Sequence, residues 1–351
     1  MQNYYALGIM SGTSLDGLDI VLCQFSYTKK WAFEIIKAKT FKYDQNWKDQ
    51  LQSAEQLSGL QLLKLHKNYG RFIGKKIKQF LKDIKEKPCL IASHGHTIFH
   101  QPKNKITLQI GDGAEIASET GITTVSDFRS LDVALDGQGA PLVPIGDELL
   151  FNEYDYCLNI GGFANISTTI DHKRVAFDIC PANIILNKLA HKLNKPFDKD
   201  GIFGKTGKMN SILLNQLNQV DFYQMPNPKS LGREWVEEVF IPVLAQQEIK
   251  TIDQISTLYE HISDQITKVI SSNPEKKVLI TGGGAYNKYL LERIRAKTNT
   301  QIIIPSKNIV EYKEAIIFGL LGVLRFNRDI NCLSSVTGAK KNSSSGVIHL
   351  I

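Results

Sequence analysis

Cysteine is sparse in this 351-residue chain, and what there is does not pair up. Cys23, Cys89, Cys157, Cys180 and Cys332 are odd in number, scattered, and form no C-x-x-C. That argues against a zinc site or a disulfide scaffold and fits a reducing compartment. Long apolar runs are missing too: the longest, Ala315 to Leu324, is about half of what a membrane span needs. No basic residue precedes Lys29, so a secretory leader is not expected and a cytoplasmic location is. No low-complexity linker divides the chain, and neither sign of charge dominates, with 42 Lys and Arg against 35 Asp and Glu. The hydrophobic fraction of 42% is ordinary for a chain that buries a real core, and at roughly 150 residues per domain the length predicts two.

The modest excess of +7 is local. Lys64, Lys67, Arg71, Lys75, Lys76, Lys78, Lys82, Lys85 and Lys87 are offset in that stretch only by Asp83 and Glu86. Such a stripe could touch nucleic acid. The apolar series Leu57, Leu60, Tyr69, Ile73, Ile77, Phe80, Leu81, Ile84 instead predicts one amphipathic helix through about Lys85, stopped by Pro88, with the lysines on its solvated face. No nucleic-acid partner is expected.

What the sequence does have is glycine in turns. Tyr4–Met10, then Ser11-Gly12-Thr13-Ser14-Leu15-Asp16-Gly17, then Leu18-Asp19 and a β-branched run read as a hairpin. Small residues, outward N–H groups and hydroxyls in that turn suit a tetrahedral anion. Asp16 and Asp19 add the acceptors a magnesium–phosphate complex needs. The second half repeats this grammar: strand Tyr156–Ile160, glycine turn Gly161 to Asn165, strand Ile166–Ile170. Two such turns can hold a polyphosphate from both sides. A third, Gly282-Gly283-Gly284, follows strand Lys276–Thr281 and precedes a helix, where a flat nucleotide can approach the backbone. It is not G-x-G-x-x-G, and the Gly-Lys-Thr at 204–206 lacks the spacing of a Walker loop.

Chemistry-bearing residues lie between the turns. Val175-Ala176-Phe177-Asp178 reads as a strand ending in a carboxylate, with Pro181 in the first turn of the next helix, so Asp178 sits beside a helix N-terminus as a general base or as its N-cap. Strand Cys89–Ala92 ends in Ser93-His94-Gly95-His96-Thr97. His94, His96 and His100 have no acidic ligand among them, so sugar or loop hydrogen bonding is expected rather than a metal. Arg129 reads as a clamp for a carboxylate or sugar oxygens, or as an ion-pair partner of Asp127 or Asp132. The Asp136–Pro141 loop, carrying Gln138, reads as a hinge or substrate loop.

Taken in order, G-I-M-S-G-T-S-L-D-G-L-D, L-Q-I-G-D-G, D-F-R, G-Q-G-A-P-L-V-P, N-I-G-G-F-A-N, P-K-S-L-G-R-E and G-G-G-A-Y-N resemble the anhydro-N-acetylmuramic acid kinases from Gly8 to Ala339. The first string is the most specific. The resemblance implies an α/β fold with two domains of the actin-like ATPase (ribonuclease H-like) type and ATP in the interdomain cleft. Expected boundaries are 1–130 joined by about 328–351, and 131–327. It implies a homodimeric, ATP- and magnesium-dependent enzyme of cell-wall recycling. That enzyme opens the 1,6-anhydro bridge with water and phosphorylates O6, giving N-acetylmuramate 6-phosphate and ADP. Carried over, Gly12, Thr13, Ser14, Leu15, Asp16, Gly17, Leu18 and Asp19 hold ATP phosphates. Gly161, Gly162 and Asn165 close the other side, and Gly282, Gly283 and Gly284 meet the adenosine. Asp178 is the catalytic aspartate; Arg129, His96, Gln138 and Asn183 meet the sugar. The direct magnesium ligands stay unassigned. The family's F-D-T-G-P-G-N is Phe177–Asn183 here without its two glycines, and His96 replaces a glutamine. Alternatives are a levoglucosan-type kinase, acting on an anhydrosugar without the acetamido and lactyl groups, and a non-catalytic actin-like nucleotide-binding module.

Overall fold

The computed structural model describes residues 2–12, 14–246 and 248–351. The chain folds as two units: one runs to Phe151 and resumes at Tyr312–Ile351, the other is Asn152–Glu311. Residues 131–151 and 312–327, expected with the second domain, thus belong to the first unit. The helix Lys307–Phe326 explains part of this. Its Ala315 and Gly319 pack so closely on Gly8 that a side chain at Gly8 would collide with the Ala315 carbonyl, and Gly322 lies against Ala92.

Strands of the first unit are β1 Gln2–Ser11, β2 Leu18–Tyr27, β3 Trp31–Phe41, β4 Leu90–Ser93, β5 His96–Gln101, β6 Ile106–Ile110 and β7 Thr124–Ser126. In the second unit β8 is Tyr156–Ile160, β9 Phe163–Ile170, β10 Lys173–Pro181, β11 Lys277–Thr281 and β12 Gln301–Ile303; β13, Val347–His349, returns to the first. The first sheet is ordered β13-β7-β4-β1-β2-β3 and the second β10-β9-β8-β11-β12, with β5-β6 a separate ribbon. In each sheet three antiparallel strands form a meander (β1-β2-β3, β8-β9-β10). Two further strands (β4 and β7, β11 and β12) then add in parallel beside the first. This repeated 3-2-1-4-5 order is that of a ribonuclease H-like sheet, and its duplication meets the expected mixed α/β, actin-like class.

The sequence dictates this locally. Strand β4 is Leu-Ile-Ala-Ser and buried throughout, as an interior parallel strand must be. The basic helix spans Gly59–Leu81, opened by Gln61 Oε1 accepting the Ser58 N–H at 3.0 Å. It ends at Leu81, not Lys85, because its buried face ends at Phe80 and the chain turns back through Ile84 N–H to Leu81 C=O. Pro88 is therefore not what stops it. Nor is its polar face simply solvated: Lys67 meets Asp112 at 2.8 Å, Arg71 meets Glu115 at 2.8 Å and Lys78 meets Glu119 at 2.7 Å. The helix Gly113–Thr120, with Asp112 as its cap, supplies the acids, so Lys67, Arg71 and Lys78 are already paired.

Candidate active site

In the second unit the register places four polar residues in one row. Thr281 on β11 pairs with Asn159 on β8, Asn159 with Asn165 on β9, and Asn165 with Asp178 on β10. Directly paired residues share a face of the sheet. Their neighbours Leu158, Ile160, Ile166, Phe177 and Ile280 are buried in the apolar core. Asn165 thus lies inside β9 and not in the turn, which shrinks to Gly161-Gly162.

Beyond the row, the carbonyl of Gly162 accepts the N–H groups of Ala182 (2.8 Å) and Ile184 (3.1 Å), and that of Gly161 accepts Asn183 N–H (3.2 Å). The start of the helix Asn183–Lys192 is thereby satisfied by the glycine turn. Asn183 donates Nδ2–H to Ile160 O at 3.3 Å, and the same nitrogen is 3.8 Å from where a Gly283 Cβ would stand. The Gly282–Gly284 triplet leads not straight into an α-helix but into a single 3-10 turn, Gly283–Tyr286, after which Asn287 caps Lys288–Arg295.

Pro181 is the last residue of β10, and the helix begins at Asn183, so Asp178 neither caps it nor sits at its first turn. A bulge between Asp178 and Cys180 re-aims the strand there. The P-K-S-L-G-R-E loop holds the aspartate instead: Asp178 N–H donates to Lys229 O at 2.9 Å, and Asp178 Oδ2 accepts Leu231 N–H at 2.7 Å. Lys229 Nζ folds back onto the Phe222 carbonyl at 2.9 Å, fixing the loop. Asp178 is half-buried. Burial raises its pKa, and the Leu231 N–H offsets part of that rise.

In the first unit the turn between β1 and β2 is built from behind. Ser11 Oγ bonds Tyr43 OH (2.8 Å) and His96 Nδ1 (2.9 Å), and Tyr43 OH bonds Tyr69 OH. His96 is buried, and burial pushes its pKa down to about 4. Ser14 and Asp16 are exposed, Leu15 has φ 57°, and Leu18 is fully buried as the first residue of β2. Asp19, within β2, accepts Thr40 Oγ1–H at 2.6 Å. Thr13 lies outside the described residues.

Arg129 donates Nε–H and Nη2–H to His94 Nε2 at 3.0 and 2.9 Å, and Nη1–H to Gly139 O at 2.8 Å. Its expected ion-pair partners are occupied elsewhere: Asp127 holds Ser130, and Asp132 accepts Gly139 N–H and Thr337 Oγ1–H at 2.7 Å each. With Gln138 N–H on Thr337 O at 2.8 Å, the 136–141 loop is pinned and not a hinge, while the Gln138 side chain is exposed. Burial pushes the Arg129 guanidinium down to about 10, countered by nearby Glu314. Desolvation raises the pKa of Glu314, and nearby Arg129 and Lys313 offset part of that rise. Sequence reasoning left Asn159 and Glu314 without roles. Asn159 opens the N-I-G-G motif, a usable signal, whereas nothing local marks Glu314.

The glycines fall into two classes. Cβ atoms built at Gly12, Gly161, Gly162 and Gly283 meet nothing nearer than 3.5 Å. At Gly17 a Cβ would lie 2.7 Å from Phe41 O, at Gly282 2.5 Å from Asn159 Oδ1, and at Gly284 it would collide with Ile160. The fold requires the second class. The first leaves backbone bare beside open space, as a ligand pressed against main chain needs. Among the described residues no three His, Cys, Asp or Glu are grouped to hold a metal. Gly12→Val is expected to raise the KM for ATP about tenfold or more with an unchanged melting temperature, while Gly17→Ala lowers the melting temperature. Unchanged ATP affinity in Gly12→Val contradicts the cradle.

The anhydro-N-acetylmuramic acid kinase family profile matches residues 4–350. Anhydro-N-acetylmuramic acid kinases of Hydrogenovibrio crunogenus (34% identity, 97% of each chain) and Vibrio cholerae (34%, 98% of this chain and 97% of that one) align along their length. One from Bacillus thuringiensis does so at 33% identity over 98% of each. From sheet topology, glycine turns and profile together, this chain belongs to the anhydro-N-acetylmuramic acid kinase family.

Proposed function

We propose that this protein is an ATP-dependent kinase that opens 1,6-anhydro-N-acetylmuramic acid with water and phosphorylates its O6, giving N-acetylmuramate 6-phosphate and ADP. The observation that carries the reading is Asp178. It ends a polar row beside the bare glycines Gly161, Gly162 and Gly283, with Oδ2 held by Leu231 N–H and Oδ1 left for a water. In this reading Asp178 takes the proton of that water. The water oxygen bonds to the anomeric carbon as the bridging C1–O6 bond breaks. O6 bonds to the γ-phosphorus as the bond from that phosphorus to the β–γ bridging oxygen breaks and ADP leaves, so O6 needs no separate acid.

In the first unit, the Gly12–Gly17 turn with Ser14 cradles phosphate oxygens by N–H and hydroxyl donors, and the Ser11–His96 contact holds it in place. Magnesium, bound with ATP, would neutralise phosphate charge, and Asp16 and Asp19 would supply it with acceptors. In the second unit, Gly161, Gly162 and Asn165 offer phosphate contacts and Gly282–Gly284 the adenosine surface. Arg129, Gln138, His96 and Asn183 are assigned to sugar oxygens. Among the described residues no helix is long and apolar enough to cross a membrane. Cytoplasmic, homodimeric action completes the reading, and sedimentation tests the dimer.

Because Asp178 must be ionised and burial raises its pKa, kcat/KM for the sugar is expected to fall with one proton on the acid side. The midpoint lies above the ordinary aspartate range near 4. A limb at or below that range contradicts the assignment.

A further inference from the structure

His94 has no part in the chemistry above, yet it is buried in the first unit at the end of β4. Its Nδ1 stands 2.9 Å from the Gly95 carbonyl, so Nδ1 carries the proton and Nε2 is the acceptor. Its ring packs on Phe318 at 4.8 Å between centroids, which fixes the plane of the imidazole. Onto Nε2 converge two Arg129 N–H groups at 3.0 and 2.9 Å, while a third goes to Gly139 O. A guanidinium has five N–H donors. Three are consumed by fixed acceptors, which leaves two without a partner among the described residues.

We infer that His94 is a positioning residue for the sugar. It anchors one edge of the Arg129 guanidinium, so that the two remaining N–H groups are held in one orientation for oxygens of the substrate, its carboxylate being the best match. A long arginine side chain otherwise loses rotameric freedom on each binding event, and a fixed acceptor removes that loss beforehand. An acceptor that is itself uncharged holds the guanidinium without cancelling its charge, as an aspartate in the same place would. The inference rests on the reading of Arg129 as a sugar-binding residue, and three variants separate the two.

His94→Phe keeps the ring against Phe318 and removes the acceptor. His94→Gln keeps an acceptor near the Nε2 position. Arg129→Gln removes the clamp itself. Initial rates with anhydro-N-acetylmuramic acid and ATP varied separately are expected to show His94→Phe raising the sugar KM about ten- to a hundredfold. The KM for ATP stays within about twofold, and His94→Gln recovers most of the sugar affinity. A purely structural role would instead lower both affinities in step with melting temperature and would be no better served by glutamine than by phenylalanine; that pattern overturns the inference. Impaired Arg129→Gln beside normal His94→Phe removes His94 alone, whereas an unimpaired Arg129→Gln removes the sugar role of both. If His94→Phe does not fold, His94→Met against His94→Gln supplies the same contrast.

Discussion

Asp178→Asn is expected to bind ATP as the parent does and to turn over about 10²–10⁴-fold more slowly, the loss that follows removal of a general base. Asparagine keeps an oxygen for the Leu231 N–H, and Asp178 N–H still reaches Lys229 O, so the β10 bulge and the 229–231 loop have no reason to move. What disappears is the basic site facing the water. Stopped assays of ADP release, with nucleotide affinity by calorimetry and melting temperature alongside, separate this from unfolding. Near-parent turnover takes Asp178 out of the mechanism. A lost ATP affinity would instead make it part of the nucleotide site.

A second large effect concerns stability in acid. Burial lowers the pKa of His94 well below the ordinary histidine value, that of His96 to about 4 and that of His261 to about 3. Each is hydrogen-bonded in place by a defined partner: Arg129 on His94, Ser11 on His96, and Tyr223 with Asn218 on His261. In the unfolded chain all three protonate near pH 6.5. Because the folded pKa is depressed, their stabilisation is complete above about 6.5 and is lost as pH falls toward the folded values. Each costs about 1.4 kcal/mol per pH unit between 6.5 and its folded value, so His96 and His261 together cost about 4 kcal/mol at pH 5, and His94 adds to that in the same direction. Total stabilities run to about 5–15 kcal/mol. Asp178 and Glu314, with raised pKa values, act in the opposite sense at lower pH. Urea unfolding at pH 7.5 and 5.0 is expected to show a several-kcal/mol drop. His96 and His94 affect the first unit and His261 the second, so His261→Gln should flatten only part of it. Equal stability at the two pH values contradicts neutral burial of these rings.

Much of this was legible in the sequence because the signals were local. The β1–β2 and β8–β9 hairpins follow from apolar runs broken by glycine, and their repetition matches the two sheets of like order that the structure shows. What was not legible depended on chain segments distant in sequence. The apolar-then-proline pattern after Asp178 reads as strand then helix, but β10 continues through Pro181 because its edge pairs with Phe163. The partner of Asp178 comes from Leu231, 53 residues on, and that of Arg129 from His94, 35 residues back. The neutralising acids of the lysine-rich helix lie on a later helix that no helical periodicity connects to it. Likewise, only packing shows that Gly12 and Gly283 are bare while Gly17 and Gly284 are jammed against their neighbours.

Reaction in ¹⁸O-water with ATP, magnesium and anhydro-N-acetylmuramic acid tests the central claim most directly. Water activated at Asp178 should place the label on C1 of the product, with unlabelled phosphate on O6 and ADP formed in equal amount. Label in free phosphate with the anhydro bridge intact, or sugar phosphate without label at C1, would contradict it.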